Sequence, residues 1–343
     1  MKKVKLTDVF QLVFYVVMVF VVFNFVSGHS LRIINLSMLF AITALGLSIT
    51  LGMTGMLSFS GISFMGFGAY TVANLCTGRH GVILSPTMGV VMAILVSGVL
   101  AVIIGAVLLR LNGTFFTFAT IALVYISNTI FINYVPLFGG SSGISGIPTY
   151  SVGSLVIKGY EKWFLFVAII VGVVCLLVER ARRTQLGRSL ESIRDDEIIA
   201  NSLGINVFRS KLIAFTLQGV LCGLAGALYA MQNSYIGSDV FTWTRATSIV
   251  IMVMVGGVNN TLGAVIGSVI VTALPEIFRG FQQYLRFAYG IVIILLMIFL
   301  PSGIMGIGSA VKSFLAKAKK KNETNAGGKM QLVENENSGE EGN

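Results

Sequence analysis

Long apolar blocks separated by short polar segments make up most of this chain, and no block contains a charged side chain. A helix needs about 20 apolar residues to cross the hydrocarbon layer of a membrane. Backbone groups cannot stay unpaired in lipid, so such blocks predict transmembrane helices; they lack the apolar–polar alternation of a β-barrel. The blocks are 9–26, 33–51, 56–76, 86–109, 114–135, 163–178, 212–231, 246–274 and 287–307.

Lysine and arginine concentrate in three segments, and their positions predict the orientation of the helices. The basic segments are 1–6, 179–211 and 312–321. Because basic residues are enriched in cytoplasmic loops, we expect all three segments to be cytoplasmic. Six apolar blocks separate the first segment from the second, and this even number agrees with that orientation.

The block at 246–274 decides whether the number of spans after the second basic segment is even or odd. Only three blocks separate the second basic segment from the third, and an odd number would put the tail outside. This block is too long for one ordinary span and is interrupted at 256–263 by the sequence GGVNNTLG. Two short crossings there give about ten spans and return the tail to the cytoplasm; a re-entrant loop is the alternative.

Composition places the chain in the membrane class. It is 55% hydrophobic and 11% charged, against about 25% charged residues in soluble domains. The net charge of +10 does not indicate nucleic-acid binding, because no basic face or aromatic RNA-binding motif accompanies it. Residues 1–6 and the run 9–26 resemble a signal peptide, but the run is long and no small-residue cleavage site follows, which predicts an uncleaved first span.

The predicted organisation is one transmembrane domain and one tail. Residues 1–310 form the transmembrane domain, which contains the cytoplasmic loop 179–211 and a long outside loop at 136–162. Residues 311–343 are polar and end in several glutamates. Such a segment cannot bury a core, so it predicts a disordered cytoplasmic tail.

Several kinds of chemistry are missing from the sequence. No acidic residue lies in the middle of an apolar block, whereas ion-coupled carriers usually place acidic or histidine side chains there. No phosphate-binding P-loop motif occurs. The sequence 139–143 formally matches G-x-S-x-G, but it lies in a glycine-rich outside loop without a histidine partner.

The three cysteines do not indicate a metal site or a disulfide framework. Cys76, Cys175 and Cys222 each lie in an apolar block, far apart in sequence, and no CxxC pair occurs. The sequence therefore predicts no catalytic constellation, no metal site and no cofactor.

The cytoplasmic segment 187–211, GRSLESIRDDEIIANSLGINVFRSK, carries charged and apolar residues side by side. We interpret it as a short amphipathic helix that Ser192 caps, with acidic residues in its first turns and Gly204 at its C-terminus. Such a helix either docks into a groove on a partner or is a solvated connector, and both interpretations remain open. Its predicted apolar side consists of Ile198, Ile199 and Leu203.

The stretch 52–68, GMTGMLSFSGISFMGFG, has too many glycines and serines for an ordinary continuous span. Discontinuous helices of this kind often line substrate sites in transporters. A kinked packing helix is the alternative. The residues of this candidate substrate path are Ser58, Phe59, Ser60, Gly61 and Ser63, with Gly256 and Gly257 from the later glycine motif.

Six stretches of sequence carry a resemblance to a known family. They are 187–215, 223–230 (GLAGALYA), 51–70, 139–148 (GGSSGISGIP), 254–268 (MVGGVNNTLGAVIGS) and 289–307. Together they resemble the LivM-type permease subunits of branched-chain amino acid ABC importers. The resemblance covers residues 30–308.

The resemblance implies an all-α bundle of about ten spans in the cell membrane that transports substrate but is not itself an enzyme. It implies a second permease subunit forming a heterodimer, two cytoplasmic ATPase subunits and an extracytoplasmic substrate-binding protein as partners. Leucine, isoleucine and valine are the implied substrates. Urea or short amides, other amino acids, nucleosides and simple sugars remain alternatives within the family, and an ion-coupled secondary carrier is the alternative outside it.

The resemblance also implies that 188–204 is the coupling helix that contacts the ATPase. The residues that match the family motif are Arg188, Arg194, Asp195, Asp196, Glu197 and Gly204, and Ile199 and Leu203 are its expected apolar anchors. The pair Asn259-Asn260 departs from the family, whose members more often have a Gly-Ser or similar pair there. The local geometry at this pair is therefore not carried over from the family.

Overall fold

A computed structural model describes residues 15, 28–79, 81, 83–152, 155–157, 159–277 and 290. Over these residues the chain is a bundle of α-helices with four two-residue strands. The helices are α1 (His29–Leu47), α2 (Gly61–Cys76), α3 (Pro86–Leu108), α4 (Thr114–Asn133), α5 (Val135–Phe138), α6 (Tyr160–Arg182), α7 (Gln185–Asp195), α8 (Glu197–Ser202), α9 (Val207–Asn233), α10 (Trp243–Gly256) and α11 (Thr261–Ile277). The strands are β1 (Ile144–Ser145), β2 (Ser151–Val152), β3 (Leu155–Val156) and β4 (Tyr235–Ile236).

Five helices of the described chain are long and apolar enough to cross a membrane. They are α1 with its π-helical continuation, α3, α4, α6 and α9, and they confirm the helices predicted from five of the apolar blocks. The blocks 9–26 and 287–307 lie outside the described residues except for Tyr15 and Gly290. The total of ten spans therefore stays a prediction.

The predicted interruption of the block 246–274 is confirmed. Helix α10 ends at Gly256 and α11 begins at Thr261, so two shorter apolar helices replace one long span. Gly257 has a φ of 107°, a conformation that glycine adopts without steric cost. Asn260 caps α11, because its side-chain oxygen accepts hydrogen bonds from the backbone N–H groups of Leu262 at 3.2 Å and Gly263 at 3.3 Å.

Another interruption lies between α1 and α2. It comes first along the chain and is called the first break, and the interruption between α10 and α11 is called the second break. Helix α1 continues as a π-helical turn over Ser48–Met53, and α2 begins only at Gly61, so the span predicted at 56–76 starts five residues later than expected. The Ser58 hydroxyl lies 2.8 Å from that of Ser60 and accepts from the Ser60 backbone N–H at 3.4 Å. Such local bonds compete with helical hydrogen bonds, which explains the late start of α2.

Helix α9 lies at the centre of the bundle and packs against α1, α2 and α3. Its glycines let the α2 backbone approach closely. A Cβ atom on Gly226 would lie 1.9 Å from the Met65 carbonyl oxygen, and one on Gly68 would lie 2.3 Å from that of Gly223. Small residues at such crossings permit backbone contact between membrane helices, so these glycines serve packing.

The loops divide between the two ends of the bundle. At one end Arg194 of the predicted cytoplasmic loop bonds Gly52 and Asn259, near the two interruptions. At the other end β1 of the predicted outside loop pairs with β4, with Ile144 opposite Ile236. The two loops are therefore on opposite ends, as predicted, while the assignment of one end to the cytoplasm stays a prediction.

The predicted single helix at 188–204 is wrong in its boundaries. The structure has two helices, α7 and α8, that meet between Asp195 and Glu197. Ser192 lies inside α7 and caps nothing; Thr184 caps that helix, with its hydroxyl accepting from the Gly187 N–H at 3.3 Å. The acidic pair that suggested a helix start instead marks the junction.

The acidic junction and the glycine nevertheless mark the bounds of α8. Asp196 is its N-cap, with one carboxylate oxygen accepting from the N–H groups of Ile198 at 2.8 Å and Ile199 at 3.0 Å. Asp and Asn favour this position because they satisfy the free N–H groups of the first turn. Gly204 follows the last turn with a φ of 81°, as expected for a glycine that ends a helix.

Candidate functional site

Serines in the first break and in the first turn of α2 form a buried polar cluster. Ser58, Ser60 and Ser63 are buried within the bundle. Ser63 accepts a hydrogen bond from the hydroxyl of Ser127 on α4 at 2.8 Å. Phe59 stacks at a tilt on Trp243, the first residue of α10, with 4.8 Å between ring centroids. The break thus brings α2, α4 and α10 together.

The unwound backbone of this break is partly satisfied by α4. The Leu57 carbonyl accepts from the hydroxyl of Thr117 at 3.1 Å, and the Phe59 N–H donates to the hydroxyl of Thr120 at 3.2 Å. Polar backbone groups inside a membrane bundle require such partners. These two groups are therefore engaged within the protein rather than free to meet a ligand.

Gly61 lies against side chains of α1 and α9. A Cβ atom there would lie 3.3 Å from the Cys222 sulfur, 3.4 Å from Gln218 Nε2 and 3.4 Å from Thr43 Cγ2. Gly61 is thus in a close packing contact. A larger side chain at this position would displace these neighbours.

Gln218 is a candidate site residue that the sequence analysis missed. It is fully buried, and its Oε1 accepts from the hydroxyl of Thr50 at 3.0 Å. Its Nε2 has no hydrogen-bond partner among the described residues. Since an unpaired amide is costly in an apolar interior, a lone glutamine within the apolar block 212–231 was the available signal.

The second break, between α10 and α11, is built on glycines rather than serines. Gly256 packs against α11, because a Cβ atom there would lie 1.9 Å from the Gly263 carbonyl oxygen. Gly257 supplies the turn. The two breaks meet at one point, where a Cβ atom on Gly52 would lie 2.5 Å from the Val258 carbonyl oxygen. The structure thus brings the breaks together through Gly52 and Val258, while Gly256 serves the hairpin of α10 and α11.

The predicted apolar side of the coupling segment is exposed. Ile198, Ile199 and Leu203 are 80%, 59% and 71% exposed. Two large apolar side chains on a six-residue helix, with a third at the residue that follows it, form an unusual surface at the end of a bundle. The exposure agrees with a docking element, since such a patch marks an interaction site.

The charged residues of the coupling segment have different surroundings. Glu197 forms an ion pair with Lys211 of α9 at 2.6 Å, which holds α8 against the start of that helix. Arg188 donates to the Arg183 carbonyl at 3.1 Å. Arg194 contacts exposed Asp195 at 3.2 Å. Its side chain also turns inward and bonds residues at the two breaks, so it is less available for contact with an ATPase than the family motif implies.

A groove of about 840 Å³ runs beside α8. It is formed by α8, by the first turn of α9 and by the loop that joins α3 to α4. Apolar and charged side chains both line the groove, which suits a partner surface that carries both apolar and charged groups. Its lining residues are Leu109, Asn112, Glu197, Ile198, Asn201, Gly204, Ile205, Asn206, Val207, Phe208 and Lys211.

Comparison with known proteins identifies relatives along most of the chain. The high-affinity branched-chain amino acid transport system permease protein LivM of Salmonella typhimurium is 29% identical over 303 residues, covering 82% of this chain and 71% of the relative. LivM of Escherichia coli gives the same identity and coverage. LivH of Escherichia coli, a permease protein of the same kind of system, is 25% identical over 300 residues, covering 80% of this chain and 93% of the relative. No solved structure matches the chain.

The family model described as "branched-chain amino acid transport system / permease component" matches residues 30–301. This range contains both breaks, the coupling segment and all five of the long apolar helices. The resemblance seen in the motifs is therefore confirmed over the whole helical bundle. The chain belongs to the branched-chain amino acid transport permease family and is a multi-pass membrane protein.

Proposed function

We propose that this chain is the permease subunit of an ATP-binding-cassette importer that translocates leucine, isoleucine and valine. The match to the branched-chain amino acid permease family over residues 30–301 carries the proposal. The exposed apolar residues of α8 beside an open groove support it, because an importer driven by separate ATPases needs a docking element on its permease.

The proposed assembly has three kinds of partner around this chain. Relatives named LivM and LivH are two permease proteins of one transport system, which supports a second permease subunit and a heterodimer. Two cytoplasmic ATPase subunits supply the energy, and an extracytoplasmic binding protein delivers the amino acid. The chain itself acts as a transport subunit.

The proposed topology has ten spans with both termini in the cytoplasm. It makes 1–310 the transmembrane domain and 311–343 a cytoplasmic tail. The coupling segment, which consists of α7, α8 and the turn formed by Leu203 and Gly204 (185–204), then faces the ATPase. The opposite end, which carries the β1–β4 pair, faces the binding protein.

The proposed substrate path follows the first break. Ser58, Phe59, Ser60, Gly61 and Ser63 supply a polar interruption inside an apolar bundle, and this location supports the proposal. The unpaired amide nitrogen of Gln218 lies beside it and adds a donor for a polar group of the substrate.

A different substrate within the same family is the second candidate. The autoinducer 2 import system permease protein LsrC of Klebsiella pneumoniae is 29% identical over 105 residues, which is 29% of this chain. That relative belongs by name to an importer of another small molecule. A related stretch of sequence therefore occurs in a permease named for a different import system, which supports keeping urea, amides, nucleosides or sugars as alternatives.

The first prediction tests energy coupling. Purified chain reconstituted in vesicles with its partner permease, ATPases and leucine-loaded binding protein imports labelled leucine only when ATP is present. Omitting the ATPases abolishes uptake, since this chain has no phosphate-binding loop. An ATPase variant that binds but does not hydrolyse ATP is the control.

Leucine uptake by the chain alone, driven by a proton or sodium gradient, would contradict the proposal and favour a secondary carrier. Competition with valine, urea and a nucleoside in the same vesicles identifies the substrate class.

A further inference from the structure

One arginine of the coupling segment is bonded to both helix breaks. Arg194 lies in the last turn of α7, and its Nη1 donates to the Gly52 carbonyl oxygen at 2.8 Å and to Asn259 Oδ1 at 3.1 Å. Gly52 lies in the π-helical turn just before the first break, and Asn259 lies within the second. A single guanidinium therefore joins three segments that are far apart in sequence.

The last turn of α6 holds the second break from another side. Arg182 donates to the main-chain oxygen of Asn259, and Glu179 accepts from the hydroxyl of Thr261 at 3.1 Å. Residues three apart on a helix share one face, so both side chains reach the break together. Asn259 is thus bonded twice, through its backbone by α6 and through its side chain by α7.

The contact between these segments is tightly packed. A Cβ atom on Gly55, whose φ is 72°, would lie 3.1 Å from Arg194 Cγ. Gly52, near the first break, is also packed closely against the Val258 carbonyl of the second break. Because packed protein is nearly incompressible, a displacement of α7 is passed to both breaks.

Arg182 also has unused donors. Its Nε and Nη2 are buried and have no partner among the described residues, and Nη2 would lie 3.6 Å from a Cβ atom on Gly52. Buried donors of this kind are costly. A shifted carbonyl of either break can accept from them, so the cluster can exchange partners when the breaks move.

We infer that Arg182, Arg194 and Asn259 form a clamp that makes both helix breaks move as one body with the coupling segment. The inference rests on the proposed function and deepens it. An ATPase that displaces α8 displaces α7 through the short Asp195–Glu197 junction. The clamp then moves Gly52 at the substrate-path break and Asn259 at the second break in the same step. These three residues are positioning residues, because they act on the path through the backbone.

The two asparagines of the second break have different roles. Asn260 caps α11, and Asn259 supplies the side-chain oxygen that Arg194 binds. A glycine at position 259 retains the backbone acceptor and loses that oxygen. Asparagine at 259 therefore adds a link between the coupling segment and the second break.

The test uses the complete importer in vesicles and measures leucine imported per ATP hydrolysed. The variants are Asn259→Ala, which removes only the side-chain acceptor, Asn259→Asp, which keeps it, Arg194→Gln and the double variant Asn259→Ala/Arg194→Gln. Arg180→Gln is the matched control, because Arg180 lies on the same last turn of α6 and is exposed.

We expect Asn259→Ala to hydrolyse ATP at the wild-type rate while leucine imported per ATP falls about tenfold, the factor that corresponds to one lost charge-assisted hydrogen bond. Asn259→Asp and Arg180→Gln keep the wild-type ratio. In Arg194→Gln the leucine imported per ATP falls at least as far as in Asn259→Ala. In the double variant it falls no further than in Arg194→Gln, since both changes break the same link.

Three outcomes would overturn the clamp. The first is a wild-type ratio of leucine imported per ATP hydrolysed in both Asn259→Ala and Arg194→Gln. The second is a double variant whose loss is the product of the two single losses. The third is a parallel fall of complex yield, hydrolysis and uptake in Asn259→Ala, which marks a purely structural residue. If the wild-type importer shows no ATP-driven uptake, the proposed function fails instead, so the two failures are distinguishable.

Discussion

At the scale of single residues, Gly61 is where the packing and transport interpretations of the first break meet. The glycine is fully enclosed by Thr43, Gln218 and Cys222. A methyl group there makes tight contacts of 3.3 to 3.4 Å with the ends of side chains that can shift slightly. A leucine adds three further carbons in a space that is already filled.

The residue-scale prediction concerns Gly61→Leu. We expect the variant to assemble with its partners but to import leucine about tenfold more slowly per assembled complex. Overpacking by a few methylenes costs about 1–3 kcal/mol, and here it displaces Gln218 beside the break. Gly61→Ala is expected to stay near wild type. Complex yield and uptake are measured on the same preparation.

The control for Gly61→Leu is Gly98→Leu. Gly98 is also crowded, with a Cβ atom 3.0 Å from Val220 Cγ2, but it lies on α3, away from the serines of the break. Equal losses of uptake per complex in both variants would mean that any overpacking of α9 slows transport. Wild-type uptake by Gly61→Leu would remove Gly61 from the substrate path.

At the scale of elements, α8 is a very short helix whose existence depends on its ends. Six residues of isolated helix are unstable in water, so Asp196 and the Glu197–Lys211 ion pair stabilise it against α9. These contacts leave Ile199 and Leu203 facing outward. The sequence therefore maintains an exposed apolar surface on a firmly held helix.

The element-scale prediction concerns Ile199→Asp and Leu203→Asp. Each is expected to reduce co-purification of the ATPase subunits or to uncouple hydrolysis from uptake, while the permease still inserts normally. Truncating a buried interface anchor typically costs about 2 kcal/mol or more, and a carboxylate in an apolar groove costs further. Co-purification and substrate-stimulated hydrolysis in vesicles are the two measurements.

The matched control for these variants is Gln185→Glu. It also adds one negative charge to the coupling segment, at an exposed position in the first turn of α7, where acidic residues suit a helix N-terminus. Wild-type co-purification and hydrolysis in both aspartate variants would show that α8 is a connector.

At the scale of the whole molecule, the two ends of the bundle have different structures. At one end Arg194 of the coupling segment bonds the Gly52 carbonyl and the Asn259 side chain. The other carries β1–β4, and Thr87 at the start of α3 bonds the Ser151 carbonyl at 3.3 Å. This difference between the two ends fits the proposed importer, in which one end meets an ATPase and the other meets a binding protein.

The whole-molecule prediction concerns topology. Single cysteines at Lys3, Arg188 and Lys320 are expected to react with an impermeant thiol reagent only from the cytoplasmic side, and one at Ser142 only from outside. Arg188 represents the coupling segment because the Arg194 side chain turns inward. The native cysteines are buried, so their reactivity in the unsubstituted chain is the background. Labelling of position 320 from outside together with labelling of position 3 from the cytoplasm would exclude an even number of spans.

The sequence by itself determined the class of fold and the two places where the bundle helices are interrupted. Apolar blocks must be helical because lipid cannot pair backbone groups, and this local rule needs no tertiary information. The glycine-rich stretches at 52–68 and 256–263 marked both breaks. Gly204 marked the end of α8, whereas the helix start assigned to Ser192 was wrong. The family resemblance also followed from sequence, and residues 30–301 confirm it.

Only the tertiary structure decided which residues meet. The Arg194–Gly52 bond joins residues 142 apart in the chain, and the Thr50–Gln218 bond joins residues 168 apart. No periodicity or spacing predicts such pairs, because they depend on how α1, α7 and α9 pack together. Arg194 is a motif residue in sequence, but the packing turns it toward the breaks. Local signals fix many of the helix ends, whereas long-range packing fixes the contacts proposed to carry coupling.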